Sequence, residues 1–279
     1  MKLSPIIALI MLVLISASCT KESTVEMNQW NLSDTHFDEL LQLCDTSTLV
    51  TYEDFQARLD RILEIFVLYQ DPRGAFPSVY KAITDAGILS LNEDADDYEN
   101  AQFAYDFGIH FSKSYLKFLK LHLLNQPLEH HWELYYRYCF EEKNITRLVV
   151  EGINAHVTID LPRSLAAVNV VRANKNDWIV FGERVVEVVP DFLEKLEEDY
   201  GADASGIFNV YILGDMVDPI LGEGTMISMG FNMLRLDAFE NAIRMQNPDN
   251  TIFVERKMER SFYEREGMID LLDRMGLME

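Results

Sequence analysis

Apolar residues recur every three or four positions along almost the whole chain, which predicts helices rather than strands. Ser33 or Asp34 caps a first short helix carrying Phe37, Leu40, Leu41 and Cys44. Thr51, with Asp54 three residues on, opens a second helix through Phe55, Leu59, Ile62, Leu63 and Phe66. Asp71-Pro-Arg-Gly74 ends it, and Asp71 and Arg73 are expected to hold that turn by local hydrogen bonds. Pro77 stands near the start of a third helix with Val79, Tyr80, Ile83 and Ile88. Tyr98 to Leu124 is a long amphipathic helix rich in Phe. Pro127 starts the next, which holds His130, His131, Trp132, Tyr135 and Tyr138.

Asn144 breaks that helix ahead of the stretch that organises the chain, residues 145–172. Its core, Gly152-Ile-Asn-Ala-His-Val-Thr-Ile-Asp-Leu-Pro162, places two polar side chains on an otherwise apolar helical face. At helical spacing His156 shares a face with Ile145, Val149, Gly152 and Ile153, and Asp160 lies about 40° around from it. Both are therefore expected to point inward, where an ionised carboxylate needs a partner. His156, Arg163 or a metal ion are the candidates. Gly152 predicts close approach of a neighbouring backbone or a ligand. Pro162 predicts a kink that opens space beside Asp160.

Beyond this stretch, Asn176 or Asp177 opens a helix that restarts at Pro190. Gly201 to Gly206 is a flexible loop, Phe208 to Leu213 has the composition of a strand, and Gly222 and Gly224 mark a turn. Met229 to Met245 and Phe253 to Met275 are two more helices, split by Asn247-Pro-Asp249. The expected fold is all-α, a single multi-helix domain over 33–279 packed around the stretch at 145–172.

Charge narrows the partners. With 46 acidic against 24 basic residues, the formal charge of −22 argues against nucleic acid. The acidic run Asn92 to Glu99 is a solvated turn and not a calcium loop, because Asp97 and Phe103 stand where Gly and Glu are required. The N-terminus changes the picture more. Ile6 to Ile15 is an apolar run too short to span a bilayer and suited to a signal peptide, residues 1–18. Ser16-Ala-Ser-Cys19 resembles a bacterial lipobox, with Ser16 where Leu is usual. That resemblance implies lipidation at Cys19, a polar tether over 19–32 and a membrane-anchored protein of the bacterial cell envelope. Cys44 and Cys139 are open to pairing or to burial as free thiols.

Two family resemblances bear on the chemistry. Asp71-Pro-Arg-Gly-Ala-Phe76 with Tyr80 and Thr84, together with the Gly-Ile-Asn-Ala-His-x-x-x-Asp-Leu core, resembles a bacterial family catalogued as a domain of unknown function, family 5995. It implies an all-helical fold and no activity. The His-x-x-x-Asp spacing is more loosely similar to the zinc-dependent phospholipase C and P1-nuclease class. Ala166 here stands where that class has a further His. Two readings follow. In the first, His156 and Asp160, with Arg163, His131 and Asn154 near them, form a buried network that is structural or binds a small ligand. In the second, His156 and Asp160 bind a divalent metal such as zinc in a hydrolase acting on a phosphoester or lipid. His131 is favoured over His130 as the further member, since it shares a stripe with Tyr135 and Tyr138. A third possibility is an acidic helical surface that captures basic partners.

Overall fold

A short polar side chain takes up a free backbone N–H at the start of several helices, as the sequence predicts. The computed structural model describes residues 32–141, 143–208 and 225–278. Ser33 Oγ accepts from the His36 N–H and opens α1, Asp34–Leu43; Thr51 Oγ1 accepts from the Asp54 N–H and opens α2, Tyr52–Leu68. A 3-10 turn at Pro72–Gly74 then runs straight into α3, Ala75–Glu93, so Pro77 sits inside its first turn. Asn100 caps α4, Ala101–Leu123. Pro127 does not start the following helix; α5, His130–Phe140, begins three residues later with Glu129 at its N-cap.

Asn144 caps α6, Ile145–Ala155. A π-helical turn, His156–Asp160, joins it without a break to α7, Leu161–Ala167. The second half adds α8, Lys175–Glu187, and α9, Val189–Tyr200, which restarts at Pro190 as expected. A single turn at Ser205–Ile207 follows. The chain ends with α10, Thr225–Met245, and α11, Pro248–Arg274.

The fold is all-α, and no strand occurs among the described residues. The strand composition noted at 208–213, apart from Phe208, lies outside the described residues, as do Gly222, Gly224, the leader at 1–18 and Cys19. Among the described residues no helix is long and apolar enough to cross a membrane. Cys44 and Cys139 are separate, buried thiols.

Residues 31–279 form one compact unit whose middle is the run from Ile145 to Ala167. Here α6 lies against α3, α5 and α11, the π-turn meets α4, α10 and α11, and α7 rests on α4 and α10. Phe103, Phe107, Leu161, Leu165, Trp178 and Phe239 are buried together beside it. Each such side chain contributes about 1.5–3 kcal/mol by leaving water. Whatever α6 and α7 turn inward is therefore held on all sides.

Candidate functional site

The site begins with a change of helical winding. The N–H of Leu161 donates to the carbonyl of His156, five residues back, where an α-helix would use four. Pro162 supplies a physical reason. Its ring would clash with the carbonyl four residues earlier in a regular helix, and widening the preceding turn relieves the clash without breaking the rod. The expected kink past Asp160 is thus a π-turn ahead of the proline. Gly152, one turn earlier, meets a side chain rather than a ligand or backbone. A Cβ there would lie 2.5 Å from the Phe76 ring.

The wider turn carries His156 and Asp160 together, each 1% exposed. His156 Nδ1 lies 3.0 Å from Asp160 Oδ2. Two neighbouring residues of α5 reach the same carboxylate. Trp132 Nε1 donates to Oδ2 at 2.8 Å, and His131 Nε2 lies 3.1 Å from Oδ1. Three N–H groups thus converge on about four lone-pair positions of one carboxylate. Burial alone would raise the Asp160 carboxyl, but the hydrogen bonds from His131 and His156 outweigh it and hold the group well below the usual carboxylate range. Asp160 is an anion satisfied by neutral donors. Burial lowers the His156 imidazole, against the opposing pull of Asp160, so the ring is neutral.

Aromatic rings fix the imidazole. Phe111 stacks on it at 3.6 Å between centroids and 13° between planes, while Tyr80 and Phe76 meet it edge-on at 4.8 and 5.5 Å. His156 also lines a cavity of about 80 Å³ whose other walls include Phe107, Trp178, Phe181 and Val185. Its remaining ring nitrogen, Nε2, is buried without a hydrogen-bond partner among the described residues. The arrangement therefore offers one lone pair beside an almost wholly apolar space.

The other sequence candidates lie elsewhere. Arg163 does not touch Asp160; it pairs with Glu129 at 2.6 Å and with Glu255 at 2.8 Å, about one-third exposed. The π-turn accounts for this, since phase counted at α-helical spacing fails across it. Asn154 is buried but ties α6 to α11, donating to the carbonyl of Phe262 at 3.3 Å, and accepts from Thr158 at 3.1 Å. His130 is half-exposed near Glu133. Trp132 escaped the sequence reading because it was counted only as core. Its adjacency to His131, two N–H donors in succession, is the signal that could have found it.

A zinc centre does not fit these donors. Asp160 already receives three N–H groups and His156 turns Nδ1 to it, leaving one nitrogen. No cluster of three or more His, Cys, Asp or Glu side chains able to share an ion occurs among the described residues.

A second buried polar cluster went unforeseen. Arg147, 1% exposed, donates to Glu151 at 2.9 Å, to Glu266 and Asp270 at 2.8 Å each, and to Asp273 at 3.2 Å. Tyr138 donates to Glu266 at 2.7 Å. Burial, followed by the hydrogen bond shared with Glu266, raises Glu151 so far that it keeps its proton at neutral pH. This cluster clamps α6 to α11.

No curated protein and no solved structure matches the chain. A family profile does, over residues 52–269, a span that holds the Asp71–Phe76 turn, His131, Trp132, the whole π-turn and the Arg147 cluster. The chain belongs to the family of unknown function DUF5995.

Proposed function

We propose that the chain is an envelope lipoprotein, tethered through Cys19, that holds a small apolar molecule in the cavity beside His156. The observation that carries this reading is the cavity itself, about 80 Å³ of apolar and aromatic lining placed against the only widened turn of the central helix among the described residues. Pockets of this type, apolar walls with few polar groups, are the usual form of a small-molecule site. π-turns recur at functional sites. The charge of −22 supports a ligand without phosphate.

Protein purified from its own envelope without denaturation should carry one bound small molecule by native mass spectrometry, or take up xenon under pressure, as dry apolar cavities do. Val185→Phe, which fills the cavity from one wall, should abolish both while leaving the helical signal intact. A wild-type protein that neither carries a molecule nor takes up xenon overturns the reading. The anchor has its own test. Labelled fatty acid should enter the wild type and not Cys19→Ala, which should leave the membrane fraction. An unlabelled wild-type chain beginning at Cys19 would exclude the anchor.

A further inference from the structure

We infer that the molecule in this cavity is a hydrogen-bond donor, a small alcohol or phenol whose hydroxyl donates to His156 Nε2 while its hydrocarbon part lies on the aromatic walls. This inference rests on the cavity being a ligand site and adds the ligand's chemistry.

The argument runs inward from a group whose role cannot change. An indole nitrogen can only donate, so Trp132 at 2.8 Å makes Asp160 Oδ2 an acceptor. His156 Nδ1, 3.0 Å from the same oxygen, then carries a proton. A neutral imidazole protonated on Nδ1 has its lone pair on Nε2. Phe111 stacked at 3.6 Å keeps the ring from turning Nε2 elsewhere. The protein thus fixes both the position and the polarity of the one unpartnered nitrogen beside the cavity.

A buried acceptor without a donor is costly, and a ligand that supplies one relieves the cost. An ether, ketone or carboxylate would instead set lone pair against lone pair. The same logic makes sites built for a hydroxyl reject analogues that lack it. Size adds a second limit. The cavity is about half as large as the roughly 150 Å³ that holds benzene in a dry protein interior, so the buried part is short.

Butan-1-ol and 1-fluorobutane, close in size and differing in the donor, test this on the wild-type chain labelled with ¹⁵N-histidine. Both should bind, the alcohol on the order of tenfold more tightly. Only the alcohol should shift the His156 Nε2 resonance. Equal binding with Nε2 unmoved overturns the donor requirement and leaves the cavity reading standing, and so does an Nε2 already bonded to water and unmoved by either probe. Failure of both probes to bind sinks the cavity reading instead. Asp160→Asn gives a second test, because an amide that donates to Nδ1 moves the ring proton to Nε2. The folded variant should lose the preference for butan-1-ol and prefer diethyl ether. An unchanged preference in that variant overturns the inference. Should the variant fail to fold, the wild-type nitrogen shift decides alone.

Discussion

Two buried polar clusters stand on the same rod, two turns apart, and they are built on opposite terms. The Arg147 cluster sets one cation against several carboxylates, and its surplus of acid is handled by a proton kept on Glu151 and shared with Glu266. It runs outward to Asp270, whose side chain is 42% exposed. The Asp160 cluster holds one anion among neutral N–H donors and stays wholly inside. In the first, the polar groups answer one another and hold two helices together. In the second, the donors saturate Asp160 and leave His156 Nε2 over, beside a cavity. A buried polar cluster on its own argues for architecture. A cluster with one atom left over, against empty space, argues for a ligand.

The comparison can be broken at four places, from the largest expected effect to the smallest. Arg147→Met leaves a set of buried carboxylates without their cation and should cost about 3–5 kcal/mol in denaturant unfolding. A cost below about 1 kcal/mol would mean that the clamp is ornamental. Acid is the next lever. Burial lowers the His122 imidazole to about 3, and the ring lies flat on Tyr136 at 3.9 Å. The unfolded chain therefore binds one more proton than the native one between pH 6.5 and 3. Stability is lost as pH falls through that window, by at most about 5 kcal/mol. The Asp160 carboxylate, held low in the fold, adds a loss in the same direction below about pH 4. His122→Phe should flatten the stability profile between pH 6.5 and 3, and an unchanged slope would exclude this residue as its source.

Gly152→Ala comes third, since the added methyl would lie 2.5 Å from the Phe76 ring, which in turn meets His156 at 5.5 Å. Overpacking of this kind costs about 1–3 kcal/mol. It should also weaken probe binding in the cavity, whereas Arg147→Met should leave the affinity of the folded fraction unchanged. Calorimetric titration of both variants checks that contrast. Arg163→Ala is the smallest. Its pairs with Glu129 and Glu255 are partly exposed, and their loss should cost below about 1 kcal/mol with no change in ligand preference. A larger cost, or an altered preference, would tie Arg163 to Asp160 after all.

How much of this could be read from the chain differs by element. Helix starts were legible at Ser33, Thr51 and Asn144, because a capping oxygen and a free amide are neighbours in sequence. Pro127 misled, because proline is compatible with a helix start without requiring one. The inward turn of His156 and Asp160 followed from apolar periodicity. Arg163 was assigned to them by the same periodicity, and the wider turn at 156–160 defeated it. The Arg147 cluster joins residues more than a hundred positions apart, and nothing local marks Glu266 or Asp270 as its partners. The cavity was hidden for the same reason, since its walls come from five or more helices.

The π-turn also changes what a length mutation means in this chain. A residue gained or lost in a surface loop is absorbed by slack, but here the rod continues on both sides with its faces already committed. Deleting Thr158 would convert the wide turn to a regular one and rotate all of α7 by about 100° relative to α6. Leu161 and Leu165 would leave the core beside α4 and α10, although scarcely any chain had been removed. The middle of the protein behaves as a screw thread, in which one residue is an angle before it is a length.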